Sequence, residues 1–136
     1  MQKFLIWSIV IAAVGCSSPA PNIQPETAST AQTELAAEVI NKDLHIVGHP
    51  FAIKSEHHKN GFYVAAKVAG PGIEDGVVCL WLMSGAKDHP GLIINANGAA
   101  KNFSPGLPWG PKTKAEASIT DREARLLVRW VEVNVN

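Results

Sequence analysis

Phe62-Tyr63-Val64-Ala65-Ala66-Lys67-Val68-Ala69 decides the fold class. Phe62, Val64, Ala66 and Val68 alternate with Tyr63, Ala65, Lys67 and Ala69, the period of two by which a strand aims side chains at opposite faces. Asn60-Gly61, the strongest short hairpin-turn dipeptide, stands just before it, and Gly70-Pro71-Gly72 stops it. On the other side of the turn, Phe51 and Ile53 alternate with Ala52 and Lys54, and a polar run, Ser55-Glu56-His57-His58-Lys59, leads into it. Strands are therefore expected from Leu44 onward, with the first hairpin closing at Asn60-Gly61.

Further on, Val77–Met83 is apolar on both faces and reads as a central strand. Leu92–Ile94 reads as a short strand, Asn95-Ala96-Asn97-Gly98 as a turn and Ala99–Phe103 as one helical turn. Ser104–Lys112 holds three prolines and two glycines and reads as loop. Ala115, Ala117 and Ile119 alternate with Lys114, Glu116 and Ser118, the pattern of a half-buried strand. Thr120-Asp121-Arg122-Glu123 has the form of a capping box. Behind it Ala124, Leu127, Val128 and Val131 recur at helical spacing, with Arg122, Arg125, Arg129 and Glu132 opposite. A helix is expected to about Trp130, and the alternation of Val131, Val133 and Val135 leaves the tail open between helix and strand. Trp81 and Trp130 lie in periodic segments and read as core. The expected class is α+β: a small antiparallel sheet with a C-terminal helix packed on one face, preceded by a disordered tether.

Towards the N-terminus, Ser29-x-x-Gln32 is a capping-box pattern, and Leu35, Ala36, Val39 and Ile40 form the apolar stripe of a helix over 30–43, ahead of a single domain over 44–136. Ser17–Ser29 is rich in Pro and small polar residues, with Ile23 its one large apolar side chain, and reads as a disordered tether. As an extended polyproline chain its thirteen residues reach roughly 40 Å. Before it, Met1-Gln2-Lys3 is a short basic start, and Phe4–Val14 is an apolar run of eleven residues broken only by Ser8. At about 1.5 Å per residue that run spans roughly half a bilayer core, the length of a signal-peptide core rather than of a membrane anchor.

Ala12-Ala13-Val14-Gly15-Cys16 resembles the lipobox of bacterial lipoproteins, with Ala13 where leucine is commonest. The resemblance implies a signal peptide over 1–15, cleavage before Cys16, and acyl chains such as palmitate on that cysteine. The expected location is the cell envelope, lipid-anchored on the extracytoplasmic side of a bacterial membrane. An ordinary secretory signal cut near Ala20 is the alternative. Two or three acyl chains matter because each buried CH₂ contributes about 0.8 kcal/mol and one chain anchors only marginally. Removal of fifteen residues, Lys3 their one charged group, leaves 121 residues with a charge of −1.

Length and charge bound the rest. The 136 residues suffice for one core, and Lys+Arg 12 against Asp+Glu 12 leaves no basic excess, which argues against a nucleic-acid partner. Gly61-Phe62-Tyr63-Val64-Ala65-Ala66, Ala69-Gly70-Pro71-Gly72-Ile73-Glu74, Trp81 and the stretch from Asn95 to Ser104 are together similar to a set of small uncharacterised secreted proteins and lipoproteins best represented in actinobacteria. That likeness covers roughly residues 61–126, rests on turn glycines and apolar strands, and implies no activity.

Candidate chemistry is sparse. Glu56, His57 and His58 are the types that bind Zn²⁺ or Cu²⁺, but adjacent strand residues point to opposite faces, and solvated hairpin residues are the plainer reading. His49-Pro50 and His89-Pro90 read as turns. Cys79 lies between Val78 and Leu80 and reads as a buried hydrophobe without a disulfide partner. Leu107 and Trp109, in a proline-stiffened loop, form a candidate platform for an envelope protein or glycan, with Trp109 folded back onto the core as the alternative. Glu74-Asp75 is explained by a turn. No nucleophile elbow, P-loop or dinucleotide pattern is present, so no cofactor is expected. The expected function is a non-catalytic interaction or binding module, with a small-ligand or metal-binding lipoprotein as the alternative and a hydrolase less favoured.

Overall fold

The computed structural model describes residues 24–136, so the expected leader, Cys16 and the first part of the expected tether lie outside the described residues. Five antiparallel strands form one sheet in chain order: β1 (Glu26–Thr27), β2 (His45–Lys54), β3 (Gly61–Gly70), β4 (Ile73–Ala86) and β5 (His89–Asn95). Helix α1 (Thr30–Val39) separates β1 from β2, and α2 (Gly98–Phe103) and α3 (Arg122–Asn134) follow β5. The molecule is therefore the expected mixture of antiparallel sheet and helix.

The alternation in β3 sorts the core into two. Phe62, Val64, Ala66 and Val68 cluster with Ala52, Cys79, Trp81 and Met83, with Ala36 of α1 and Ile40 just after it, and with Ala100 of α2. Tyr63 and Ala65 cluster instead with Ile53, Leu80 and Leu82, and with Ala124, Leu127 and Val131 of α3. Each large apolar side chain fully buried here contributes about 1.5–3 kcal/mol. β3 is thus the middle strand, and the doubly apolar Val77–Met83 is its neighbour within β4.

Several expectations need correction. The tether does not extend to Ser29. Glu26 and Thr27 pair with Ala52 and Phe51, Ala28 N–H donates to Pro50 O at 3.0 Å, and Ala28 is buried. Polar composition argued for disorder there, but the edge of β2 supplies backbone partners that the segment lacks by itself. The helix expected over 30–43 ends at Val39, with Ile40 extended and Asn41 N–H donating to Phe103 O at 2.9 Å. Its apolar stripe belongs to the same core as the sheet.

The Asn60-Gly61 hairpin is a wider loop: Lys54 pairs with Phe62 and Ser55 N–H donates to Gly61 O at 2.9 Å, with Asn60 in the left-handed region at φ 59°. Residues 114–119 form no strand, because Ser118 N–H donates to the Tyr63 hydroxyl, Ile119 N–H goes to Ala96 O, and Glu116 turns at φ 51°. His49-Pro50 lies within β2, beside its bulge, and His89-Pro90 opens β5. The C-terminal tail is helical through Asn134. Trp130 is not core but 39% exposed.

Candidate functional site

The polar loop after β2 is organised by Ser55. Its oxygen accepts from His57 N–H at 3.3 Å and His58 N–H at 3.1 Å, the local turn that serine offers a backbone leaving a strand. His58 Nδ1 lies 2.7 Å from Ser55 Oγ and Nε2 lies 2.5 Å from Ala115 O. A carbonyl only accepts, so Nε2 carries a hydrogen, and Nδ1 is turned onto the Ser55 hydroxyl rather than towards Glu56 or His57. Glu56 turns away to Arg122, with Nη2 2.6 Å from its carboxylate, and the guanidinium holds that carboxyl below its ordinary range. His57 is exposed. Glu56, His57 and His58 therefore do not converge, and among the described residues no three metal-binding side chains do.

Glu123 joins this loop from 67 positions away. Its Oε2 accepts from Glu56 N–H at 2.7 Å and from Ser55 Oγ at 3.3 Å. Sequence spacing assigned Glu123 to a capping box with Thr120. The N-cap is Asp121, and no side chain caps the helix there. The Asp121 carboxylate instead accepts from the Tyr63 hydroxyl, whose ionisation is pushed well up, first by burial and then by that bond. Serine, histidine and glutamate meet here, but not as a hydrolytic triad. Serine sits between the other two, is buried, and spends its oxygen on backbone donors. The arrangement fastens the loop to α3.

The second candidate, the loop after α2, is built differently. Ser104 is fully buried, accepting from Trp81 Nε1 at 3.2 Å through its hydroxyl and from Asn95 Nδ2 at 3.0 Å through its carbonyl. Leu107 packs inward against the cluster of Trp81 and Ala100. Pro108 O then accepts from Asn95 N–H at 3.0 Å, so the loop bridges along the free edge of β5, with Trp109 in parallel register to Asn95. Gly110 is required there, since a Cβ would stand 2.3 Å from Ala117 O and 2.6 Å from Asn95 O. Thr113 Oγ1 donates to Gly110 O at 2.7 Å and closes the far side.

Trp109 is left half-buried, with Lys101 Nζ 5.0 Å from its ring centroid, a distance for cation–π attraction. Of the expected pair, Leu107 is thus structural and Trp109 is the side chain presented. Sequence reading missed Lys101, which the short helix α2 delivers to the ring. It also missed Asn97, read only as a turn residue. Asn97 caps Ala100 N–H, accepts from Leu80 N–H and donates to Val78 O, extending the β4 ladder by a side chain.

Cys79 is buried, and desolvation pushes its thiol up to about 12, the opposite of a nucleophile's tuning. Among the described residues no helix is long and apolar enough to cross a membrane. Comparison with protein-family models, with curated proteins and with solved structures found no match to this chain.

Proposed function

We propose that this chain is a bacterial envelope lipoprotein, cleaved before Cys16 and held by acyl chains on it, whose α+β domain, with α3 across one sheet face, works by contact rather than catalysis. The contact is made through Trp109 with an envelope protein or a glycan. One observation carries the contact role: a partly buried tryptophan, outside both core clusters, on a loop whose backbone is hydrogen-bonded on both sides. A loop already fixed loses little entropy on binding, and a partly exposed Trp beside a cation offers an aromatic face with a polar rim. The anchor reading is supported by the Ala13-Val14-Gly15-Cys16 sequence at the end of a short apolar run.

Two measurements test it. Intact mass of the protein extracted from its native envelope is expected to equal residues 16–136 plus acyl groups; a lipid-free mass starting after Cys16 ends the anchor reading. Trp109→Ala is expected to weaken binding to the partner recovered from that envelope by about 2 kcal/mol while leaving the thermal unfolding midpoint nearly unchanged. A large fall in that midpoint would show that Trp109 is a core residue and sink the contact role.

A further inference from the structure

Helix α3 buries Ala124, Leu127 and Val131 completely, yet Leu126, Trp130 and Val133 stand 41%, 39% and 71% exposed. At about 100° per residue these three share one strip of the helix surface, and with Arg129 and Asn134 they line a shallow apolar hollow of about 260 Å³. Arg125 and Arg129 run along the strip's outer flank, where they border a second hollow with Val128 and Glu132. Exposed apolar side chains scattered singly need no explanation, but a contiguous strip edged by cations does.

The position of the strip narrows what covers it. The Trp130 ring meets Phe51 edge-on, with centroids 6.3 Å apart. Phe51 stands opposite Thr27 across the β1–β2 register, and opposite residues on paired strands share a face. The strip therefore lies at the sheet edge where the chain enters from Cys16. Eight peptide steps separate Cys16 from Gln24, at most roughly 28 Å of fully extended chain.

We propose that this strip rests on the surface of the phospholipid bilayer that holds Cys16, with Leu126 and Val133 in the interface, Trp130 at headgroup level and the Arg125 and Arg129 guanidiniums on lipid phosphates. The proposal rests on the lipoprotein reading. An apolar strip flanked by basic residues is the pattern of a helix lying in an interface, tryptophan settles at headgroup depth, and guanidinium matches phosphate geometry. A short tether makes even a weak contact effective, because it holds the strip at high local concentration over the lipid. A second copy fits less well, since three partly exposed side chains fall far short of the roughly 800 Å² per partner that a stable dimer buries.

The test uses the acylated protein in vesicles of phosphatidylethanolamine and phosphatidylglycerol with brominated acyl chains, which quench tryptophans that reach the interface. Quenching is expected in the native sequence, lost in Trp130→Phe, and lost in Val133→Asp while that variant stays attached to the vesicles. Its far-ultraviolet dichroism, measured alongside, is expected to match the native protein. Unquenched fluorescence from a protein whose mass shows acylation overturns the bilayer contact and leaves the lipoprotein standing. An acyl-free mass from the native envelope removes the anchor and the contact with it. Sedimentation showing a dimer that Val133→Asp dissolves overturns the proposal in favour of a second copy.

Discussion

At the scale of single residues, burial decides what chemistry a side chain is permitted. Cys79 has no exposed surface, and desolvation of its thiolate sets its ionisation near 12 instead of the ordinary value near 9. The folded protein therefore keeps a proton that the unfolded chain releases, and stability falls as pH rises between those two values. The thiol's contribution is whole below about pH 9 and is lost as pH climbs towards about 12. Cys79→Ala is expected to cost stability near neutrality by leaving a small void, and to fall off less steeply above pH 9 than the native protein. Urea unfolding across that range measures both slopes, and parallel slopes would show that the thiol is not linked to folding. Tyr63, also pushed up by burial, adds a slope of the same sign to both proteins. That Cys79 is buried was legible from Val78 and Leu80 on either side. The inward turn of Leu107 and outward placing of Trp109 were not, because they depend on Asn95 and Lys101, which the loop meets only after folding.

At the scale of elements, a local signal holds where its partners lie within the same turn and fails where a distant group claims them. Ser29 and Gln32 cap α1 reciprocally, as their spacing implied, because both partners lie within one turn. Thr120 and Glu123 carry the same spacing and do something else. Glu123 is claimed by backbone and serine donors from the loop after β2, and Asp121 by Tyr63. Alternation misled for the same reason over 115–119, whose backbone groups bond to Tyr63 and Ala96 rather than to a neighbouring strand. Glu123→Ala is expected to destabilise the domain by about 1–3 kcal/mol, since it leaves the Glu56 N–H without its acceptor while alanine itself favours helix. A cycle with Ser55→Ala, followed by urea unfolding, is expected to show coupling above about 0.5 kcal/mol. Additive losses would mean that the carboxylate and the loop serine act separately.

At the scale of the whole molecule, the strand order separates the two surfaces. β1, beside which Trp130 packs on Phe51, is one edge of the sheet; β5, along which the Trp109 loop runs, is the other. Four inter-strand spacings of about 4.8 Å put roughly 19 Å between those edges. The Trp109 loop was legible as a candidate platform from its prolines, whereas the α3 strip was not: the sequence pattern classes Trp130 as core, because helical periodicity cannot tell a buried stripe from the exposed strip beside it. If the α3 strip meets the bilayer, Trp109, at the other edge of the sheet, is expected to stay clear of the lipid. In a Trp130→Phe background, Trp109 is the chief accessible tryptophan among the described residues, Trp81 being fully buried. Because that substitution keeps an aromatic ring in the strip and the proposed acyl anchor would still hold the protein down, the domain is expected to keep its orientation. A water-soluble quencher such as acrylamide should then reach Trp109 equally well in detergent and on vesicles. A marked fall in quenching on vesicles would put the β5 edge against the lipid and end the opposed arrangement, whereas unchanged quenching fits an anchor at one edge and a presented tryptophan at the other.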